Sequence, residues 1–444
     1  MPDVTFHKPG SGAYLAATSP HNSSGSQHPA YVARATDAAE VGEVVREAVR
    51  RGLTVLPQAT GHGAGGVVGD DTVILDTSGL TSLTIDAAAR GATAGAGLTW
   101  GVINAEAEKH GLLGLAGSAP SVCVAGYTFG GGIGWLSRPH GLASSALRRV
   151  DYVDGSGNLR RASEDAADEL DREALFAFRG GGGVGVAVEL EFDLVPVPDL
   201  HAGYLLWPVE DLDAVVGAWA AVIDEVGGVG EDVATSISVL HTPPAPPFPE
   251  SLRGTPVVHL AVAASTGAGG AEPLLAAVRA AAPPTVDTWG PSDAAGLARI
   301  HLDPPVATPA LGEARWLTAD APRHAANLLS LARSPRSPVV LLEIRSVANT
   351  APARPGAQTS EPGPFLVHAV GALNAPEARA ALEDAFAEVR EVARPVDAGF
   401  SVGSWMEGAT SVPNALPEPV RHRVAAAADA VDPTGRIRRY RFLT

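Results

Sequence analysis

A histidine set between two glycines is the first residue whose placement suggests chemistry. In the stretch Pro57-Gln58-Ala59-Thr60-Gly61-His62-Gly63-Ala64-Gly65-Gly66, no neighbouring side chain crowds the imidazole of His62, so a large ligand can approach it. Glycine on either side also lets backbone N–H groups come close to that ligand. A second glycine-rich stretch runs from Gly117 to Trp135 around Cys123 and Tyr127, and a third from Gly180 to Val186. Gly61, Gly63 and Gly66 satisfy the G-x-G-x-x-G spacing of a dinucleotide loop, yet that fingerprint must open a helix. Here the strand-like VVGDDTVILDT follows the first loop and VAVELEF the third. Such loops among strands suit a cofactor lying along backbone edges.

A second group of candidates is carried by strands. Val340, Leu342 and Ile344 share one face of SPVVLLEIRSV, while Glu343 and Arg345 share the other. Val258, Leu260 and Val262 oppose His259; Val233, Ile237 and Val239 oppose Ser236 and Ser238; Phe365, Val367 and Ala369 oppose His368. The pattern predicts an antiparallel sheet with helices on its apolar side and a polar side that either meets solvent or roofs a cavity. Over a cavity, Glu343 would have a raised pKa and take a proton from a hydroxyl or phenol; in the plainer reading it pairs with an arginine. Gly399-Phe400-Ser401-Val402-Gly403 also fits the G-x-S-x-G of serine hydrolases. That motif needs a strand before it and a helix after it, whereas here a helix-like segment precedes. No H-E-x-x-H, paired-cysteine or EF-hand pattern occurs, so no metal is expected.

Short strands alternating with few long helices predict an α+β architecture. A helix is expected over residues 37 to 51, where Asp37 and Glu40 have capping-box spacing and Val41, Val44, Val45, Ala48 and Val49 form a stripe. LRRVDYVDGSGNLRRAS reads as a hairpin around Gly155 and Gly157. The expected organisation is a loose N-terminal arm over 1–27, a cofactor domain over 28–205, a substrate domain over 206–405 and a C-terminal segment over 406–444. With 32 basic against 49 acidic residues, the net charge of -17 opposes binding to nucleic acid. The N-terminus lacks the pattern of a signal peptide and no run of 18 apolar residues follows, so a cytoplasmic protein with no membrane partner is the expectation.

The collinear series PQATGHGAGG, GATAGAGLTWGVINAEAEKHGL, SVCVAGYTFGGGIGWLSRPHGLASSAL and LFAFRGGGGVGVAVELEF resembles the PCMH-type FAD-binding domain of the vanillyl-alcohol-oxidase superfamily, and within it the berberine-bridge-enzyme-like oxidases. The likeness runs from about residue 28 to 200 and returns at VDPTGRIR, 431–438. It implies FAD held by Gln58, Ala59, Thr60, Gly61, Gly63 and Gly66, by Gly117, Ser118, Val122, Cys123, Gly126, Tyr127, Gly130, Gly131, Gly132 and Gly134, and by Gly185 and Val186. Thr60-Gly61-His62 matches the family's G-G-H, which implies a covalent bond from His62 to the 8α carbon of FAD.

The cysteine that forms a second flavin link in some members aligns with Ala119, so Cys123 is expected only to pack. Tyr127 either meets the polar edge of the flavin or fills a turn. Glu343 resembles the acidic residue of the family's E-L-R strand, and with Arg345, His259, His368 and Tyr127 makes the set of candidate catalytic residues. The family's Tyr-x-Asn near the substrate is missing: Phe400 is the nearest match, with no Asn two positions on. The implied activity is hydride transfer from a small organic molecule to FAD, reoxidised by dioxygen to hydrogen peroxide, in bacterial natural-product metabolism. The alternative is a non-redox cyclase or flavin-binding protein.

Overall fold

A computed structural model describes residues 4–225, 227–349 and 351–443. The N-terminal half is built on two small sheets. The first takes the order β1-β2-β4-β3, from strands Phe6–His7 (β1), Tyr31–Arg34 (β2), Thr54–Gln58 (β3) and Thr72–Asp76 (β4). β2, β3 and β4 are parallel, so β2 and β3 need a crossover, which helix α1 (Ala38–Arg51) supplies. Its start follows the predicted chemistry with one shift of partner. The Asp37 carboxylate accepts from Glu40 N at 2.9 Å, while Glu40 reaches back to Thr36 N at 2.7 Å instead of to Asp37. Gly52 ends the helix at φ 70°, a left-handed cap.

The expected loose arm is ordered against this sheet. β1 pairs with β2, Ser26–Gln27 pairs with Val67–Val68, and the buried Tyr14 donates to Pro29 O at 2.9 Å. Backbone pairing onto strand edges carries no side-chain period, which is why the Ser/Gly/His-rich text looked structureless.

The second sheet has the order β8-β7-β9-β6-β5, from Leu83–Asp86 (β5), Gly91–Gly95 (β6), Leu147–Val153 (β7), Leu159–Ser163 (β8) and Val186–Asp193 (β9). β7 and β8 form the hairpin read from sequence, with Val153 opposite Leu159. Helices α2 (Trp100–Ala107), α3 (Val124–Phe129) and α4 (Glu169–Phe178) accompany it. Near the C-terminus Arg438 N donates to Val55 O at 2.9 Å, tying that segment to β3.

The third sheet is antiparallel and nine-stranded among the described residues. Its principal strands are His201–Pro208 (β10), Val233–His241 (β11), Pro256–Ala264 (β12), Ala310–Leu317 (β13), Leu341–Ser346 (β14), Phe365–Ala372 (β15) and Asp397–Ser401 (β16), in the order β10-β12-β11-β14-β15-β13-β16. Helices α5 (Leu212–Asp224), α6 (Glu272–Ala281), α7 (Ala321–Ser330) and α8 (Ala378–Ala393) pack on the face bearing Val258, Leu260, Ile237, Leu342, Ile344 and Val367. That is the predicted strand parity except at Val340, which precedes β14 and is exposed. The opposite face, with Ser236, Ser238, His259, Glu343, Arg345 and His368, does not meet solvent. It is buried under the N-terminal half, and polar groups fill it. Among the described residues no helix is long and apolar enough to cross a membrane.

Candidate active site

The glycine loops meet where the two halves join. Ser121 Oγ of the second loop lies 3.2 Å from His62 Nε2 of the first, and Gly182 N of the third donates to Phe129 O at 2.8 Å. In the first loop Gly61 takes φ 69° with Pro20 against it, whereas Gly63 has open space where a side chain would stand. Thr60 Oγ1 lies 3.0 Å from His62 Nδ1, so both ring nitrogens face hydroxyls. Burial first, and the adjacent His21 second, push the His62 pKa down to about 4, which leaves a neutral imidazole with one lone pair at pH 7. Gln58 is committed elsewhere, to Ala17 O at 2.9 Å and to the side chain of Gln27; Ala59 follows it in the same loop.

The second loop is folded round Tyr127. Side chains at Gly117 and Gly132 would each come within 2.8 Å of its ring, so the phenol fills the turn. Its hydroxyl is buried without a partner, and burial raises its pKa well above the phenol range. Gly126 and Gly130 lie along the same short helix, and Val122 precedes its capping residue Cys123. The Cys123 thiol is buried, donates to Ala96 O at 2.9 Å and is pushed up to about 11, chiefly by burial. Cys123→Ala is therefore expected to leave flavin content unchanged and to cost about 1 kcal/mol in urea unfolding, the worth of one buried hydrogen bond. In the third loop Gly185 takes φ 96° against Tyr152 and Val153, and Val186 begins β9, so both serve packing of the second sheet.

These loops fit a large polar ligand by two observations. Glycines hold the backbone close at Gly131, Gly132 and Gly180, each with positive φ. Buried polar atoms stand unpartnered around them: Tyr127 Oη, Thr128 Oγ1, Gln358 Oε1 and Ser404 Oγ. Unmet donors and acceptors of this kind are what a cofactor would satisfy.

The polar face of the third sheet holds a network centred on Glu343, which is fully buried. Its carboxylate accepts from Ser236 Oγ, from His301 Nε2 at 3.1 Å, from His368 Nδ1 at 3.2 Å and from Arg345 Nε and Nη2 at 3.3 and 3.2 Å. His301 Nδ1 also reaches Asp303 at 2.7 Å, and His368 Nε2 reaches Glu407 at 3.1 Å. Burial would raise the Glu343 pKa, but Arg345 and the two imidazoles outweigh it and hold it well below the usual carboxylate range. The expected raised pKa is thus reversed: Glu343 is a permanent anion, and the ion-pair alternative describes it.

Burial alone would lower both imidazoles, yet their carboxylates prevail. Asp303 and Glu343 push His301 up to about 9, and Glu407 and Glu343 push His368 up to about 10. His259 stays neutral, lowered to about 4 by burial and by His301, and spends its nitrogens on Ser238 at 3.0 Å and Ile300 O at 2.9 Å. Arg345 lies between Trp135 and Trp405, with ring centroids 4.2 and 4.6 Å from its Cζ, and its Nη1 is buried without a partner. A cleft of about 480 Å³ lined by Gly66, Gly312 and Glu407 reaches the outer end of the network.

Sequence reasoning missed His301, Asp303, Glu407, Trp135 and Trp405. Trp405 lies 5.0 Å from the His368 ring, and both it and Phe400 pack against one apolar cluster. The one available signal for the first pair was H-L-D in a segment with no strand period. Ser401 of the G-x-S-x-G match donates to Asn414 Oδ1 at 3.0 Å and accepts from Arg315 Nη1 at 3.4 Å, so its hydroxyl is engaged by groups other than histidine.

Residues 29–163 match the family described as FAD binding domain. (R)-6-hydroxynicotine oxidase of Paenarthrobacter nicotinovorans is 29% identical over 216 residues, 48% of this chain and 46% of that protein. Berberine bridge enzyme-like 18 of Arabidopsis thaliana is 30% identical over 196 residues, 42% of this chain and 36% of its own length. The matched part thus spans less than half of these relatives. The solved structure of 6-hydroxy-D-nicotine oxidase from Arthrobacter nicotinovorans superposes with a TM-score of 0.81 at 24% identity, covering 98% of this chain and 96% of its own. Physcomitrella patens BBE-like 1 gives 0.80 at 17% identity, covering 99% and 97%. Residues 29–163 are thus an FAD-binding domain, the chain is similar in sequence to proteins named as oxidases and berberine bridge enzyme-like proteins, and over nearly its whole length it shares the fold of the two solved structures.

Proposed function

We propose that the protein is an FAD-dependent oxidase of a small organic substrate, with the flavin bonded to His62. The observation that carries this reading is the neutral imidazole of His62, flanked by glycine and faced by two hydroxyls, in a chain that matches an FAD-binding domain. Bound FAD would supply the hydride acceptor, and dioxygen would return it to the oxidised state with release of hydrogen peroxide. The chain's own part is to hold and orient. The three loops grip the cofactor, Tyr127 Oη stays protonated as a neutral donor, and Arg345 Nη1 offers a fixed cationic donor.

The state of the network narrows the substrate. Glu343, His259, His301 and His368 all have their nitrogens or oxygens engaged. Asp303, with one oxygen outside these bonds, is held at about 2, burial being outweighed by His301, and is a weak base. This favours a carbon beside a neutral nitrogen, whose lone pair assists hydride departure, over an alcohol that must first lose a proton.

Two measurements test the reading. In His62→Ala the yellow colour is expected to pass into the supernatant on acid precipitation, whereas in the wild type it stays with the protein. Anaerobic mixing with secondary and tertiary amines is expected to bleach the flavin faster than mixing with matched alcohols. Bleaching by alcohols alone would overturn the amine preference, and an inert flavin that recovers from chemical reduction no faster in air than free FAD would overturn the oxidase.

A further inference from the structure

His62 does not stand alone in its loop. The imidazole of His21 lies flat against it, with ring centroids 3.7 Å apart and planes 15° apart. The backbone fixes this pair: His21 N donates to Thr60 O at 2.9 Å, Asn22 N to Gly61 O at 3.1 Å, and Thr308 N to His21 O at 2.9 Å. The N-terminal segment is thereby stitched to the first loop on one side and to the chain before β13 on the other.

We propose that His21 is a positioning residue for flavin attachment, clamping the ring plane of His62 and keeping that ring uncharged. The inference rests on the covalent-flavin reading. The lone pair of an imidazole nitrogen lies in the ring plane, so a flat neighbour on one face sets the direction in which it can attack. Thr60 and Ser121 then settle the protons: the nitrogen that keeps its hydrogen donates to one hydroxyl, and the other nitrogen is the nucleophile. In the attachment one C–H bond at the 8α carbon and one N–H bond of the imidazole break and one C–N bond forms. The two electrons and two protons released pass to dioxygen as hydrogen peroxide.

Two charged rings cannot share this spacing, so the stack also disfavours protonation. The titratable groups acting on His62 are His21, which lowers its pKa, and Asp303, which raises it. Without His21, more of His62 would be protonated below its ordinary value of about 6.5.

The test follows covalent incorporation by intact mass after FAD is added to the full chain, between pH 4.5 and 8. The wild type is expected to react at a rate nearly flat over this range. His21→Ala should react roughly tenfold more slowly or worse, with a midpoint shifted upward from that of the wild type, while non-covalent uptake of FAD stays within about twofold. His21→Phe, which restores a flat ring, should recover most of the rate. Equal rates and pH profiles in wild type and His21→Ala would overturn the inference. So would loss of non-covalent FAD uptake in both variants, which would make His21 part of the loop scaffold only. A wild type that takes up FAD but never gains its mass would sink the covalent reading and this inference with it.

Discussion

Glu343→Gln should lose about 3–5 kcal/mol of unfolding free energy, the usual cost of removing one partner from a buried ion network. Glutamine is nearly isosteric, so the loss reports charge. Glu343 is fully buried and answers His301, His368 and Arg345 together. Neutralising it leaves Arg345 stacked between two indoles without its hydrogen-bonded carboxylate, and leaves each imidazole with a single carboxylate, Asp303 or Glu407. Urea unfolding at pH 6 measures the effect; a change below about 1 kcal/mol would mean the charges are solvated and the network is not a unit.

The same network fixes how wild-type stability varies with pH. Glu343 is depressed in the folded state, so its contribution is present above the unfolded value of about 4.3 and is lost as pH falls through the folded value. His301 and His368 are raised to about 9 and about 10, so theirs is fully present below about 6.5 and is lost as pH rises through those values. Stability from this network is therefore expected to peak between about pH 5 and 6.5 and to fall steadily to pH 10. Glu343→Gln should flatten the alkaline limb, because its imidazoles have less to hold their protons.

Gly134→Ala is the second large effect. A side chain there would overlap the Ala116 carbonyl oxygen and press the Tyr127 hydroxyl. Backbone cannot yield as a flexible side chain can, so a loss of about 1–3 kcal/mol or more is expected, with FAD uptake impaired because the loop opens around Tyr127. Gly126→Ala, which meets nothing within 4 Å and lies inside α3, should fold as stably as the wild type or slightly more so. Equal unfolding midpoints for the two variants would show that the glycine cradle is not tightly packed.

Strand parity and the glycine loops were visible in the residue pattern because each repeats a local period. Val258, Leu260 and Val262 alternate with His259, and this settled which face carries polar groups. What those groups do there was not visible. The charge state of Glu343 was not legible, because His301 and Glu407 arrive from separate loops, and Arg345, His301 and His368 together reverse the sign of its shift. Asp303 and Trp405 were hidden for the same reason, since loops carry no period. His21 was hidden more deeply: its segment is ordered by backbone bonds to Thr60 and Thr308, which no side-chain pattern encodes.

FAD bound covalently at His62 in a cradle of glycine loops, as proposed, can be read from peptide mapping of the purified yellow protein. One flavin-bearing peptide is expected, spanning His62, whose mass exceeds that of the unmodified peptide by that of FAD less two hydrogens. A flavin-bearing peptide that spans any other residue, or a protein that takes up no FAD at all, would contradict it.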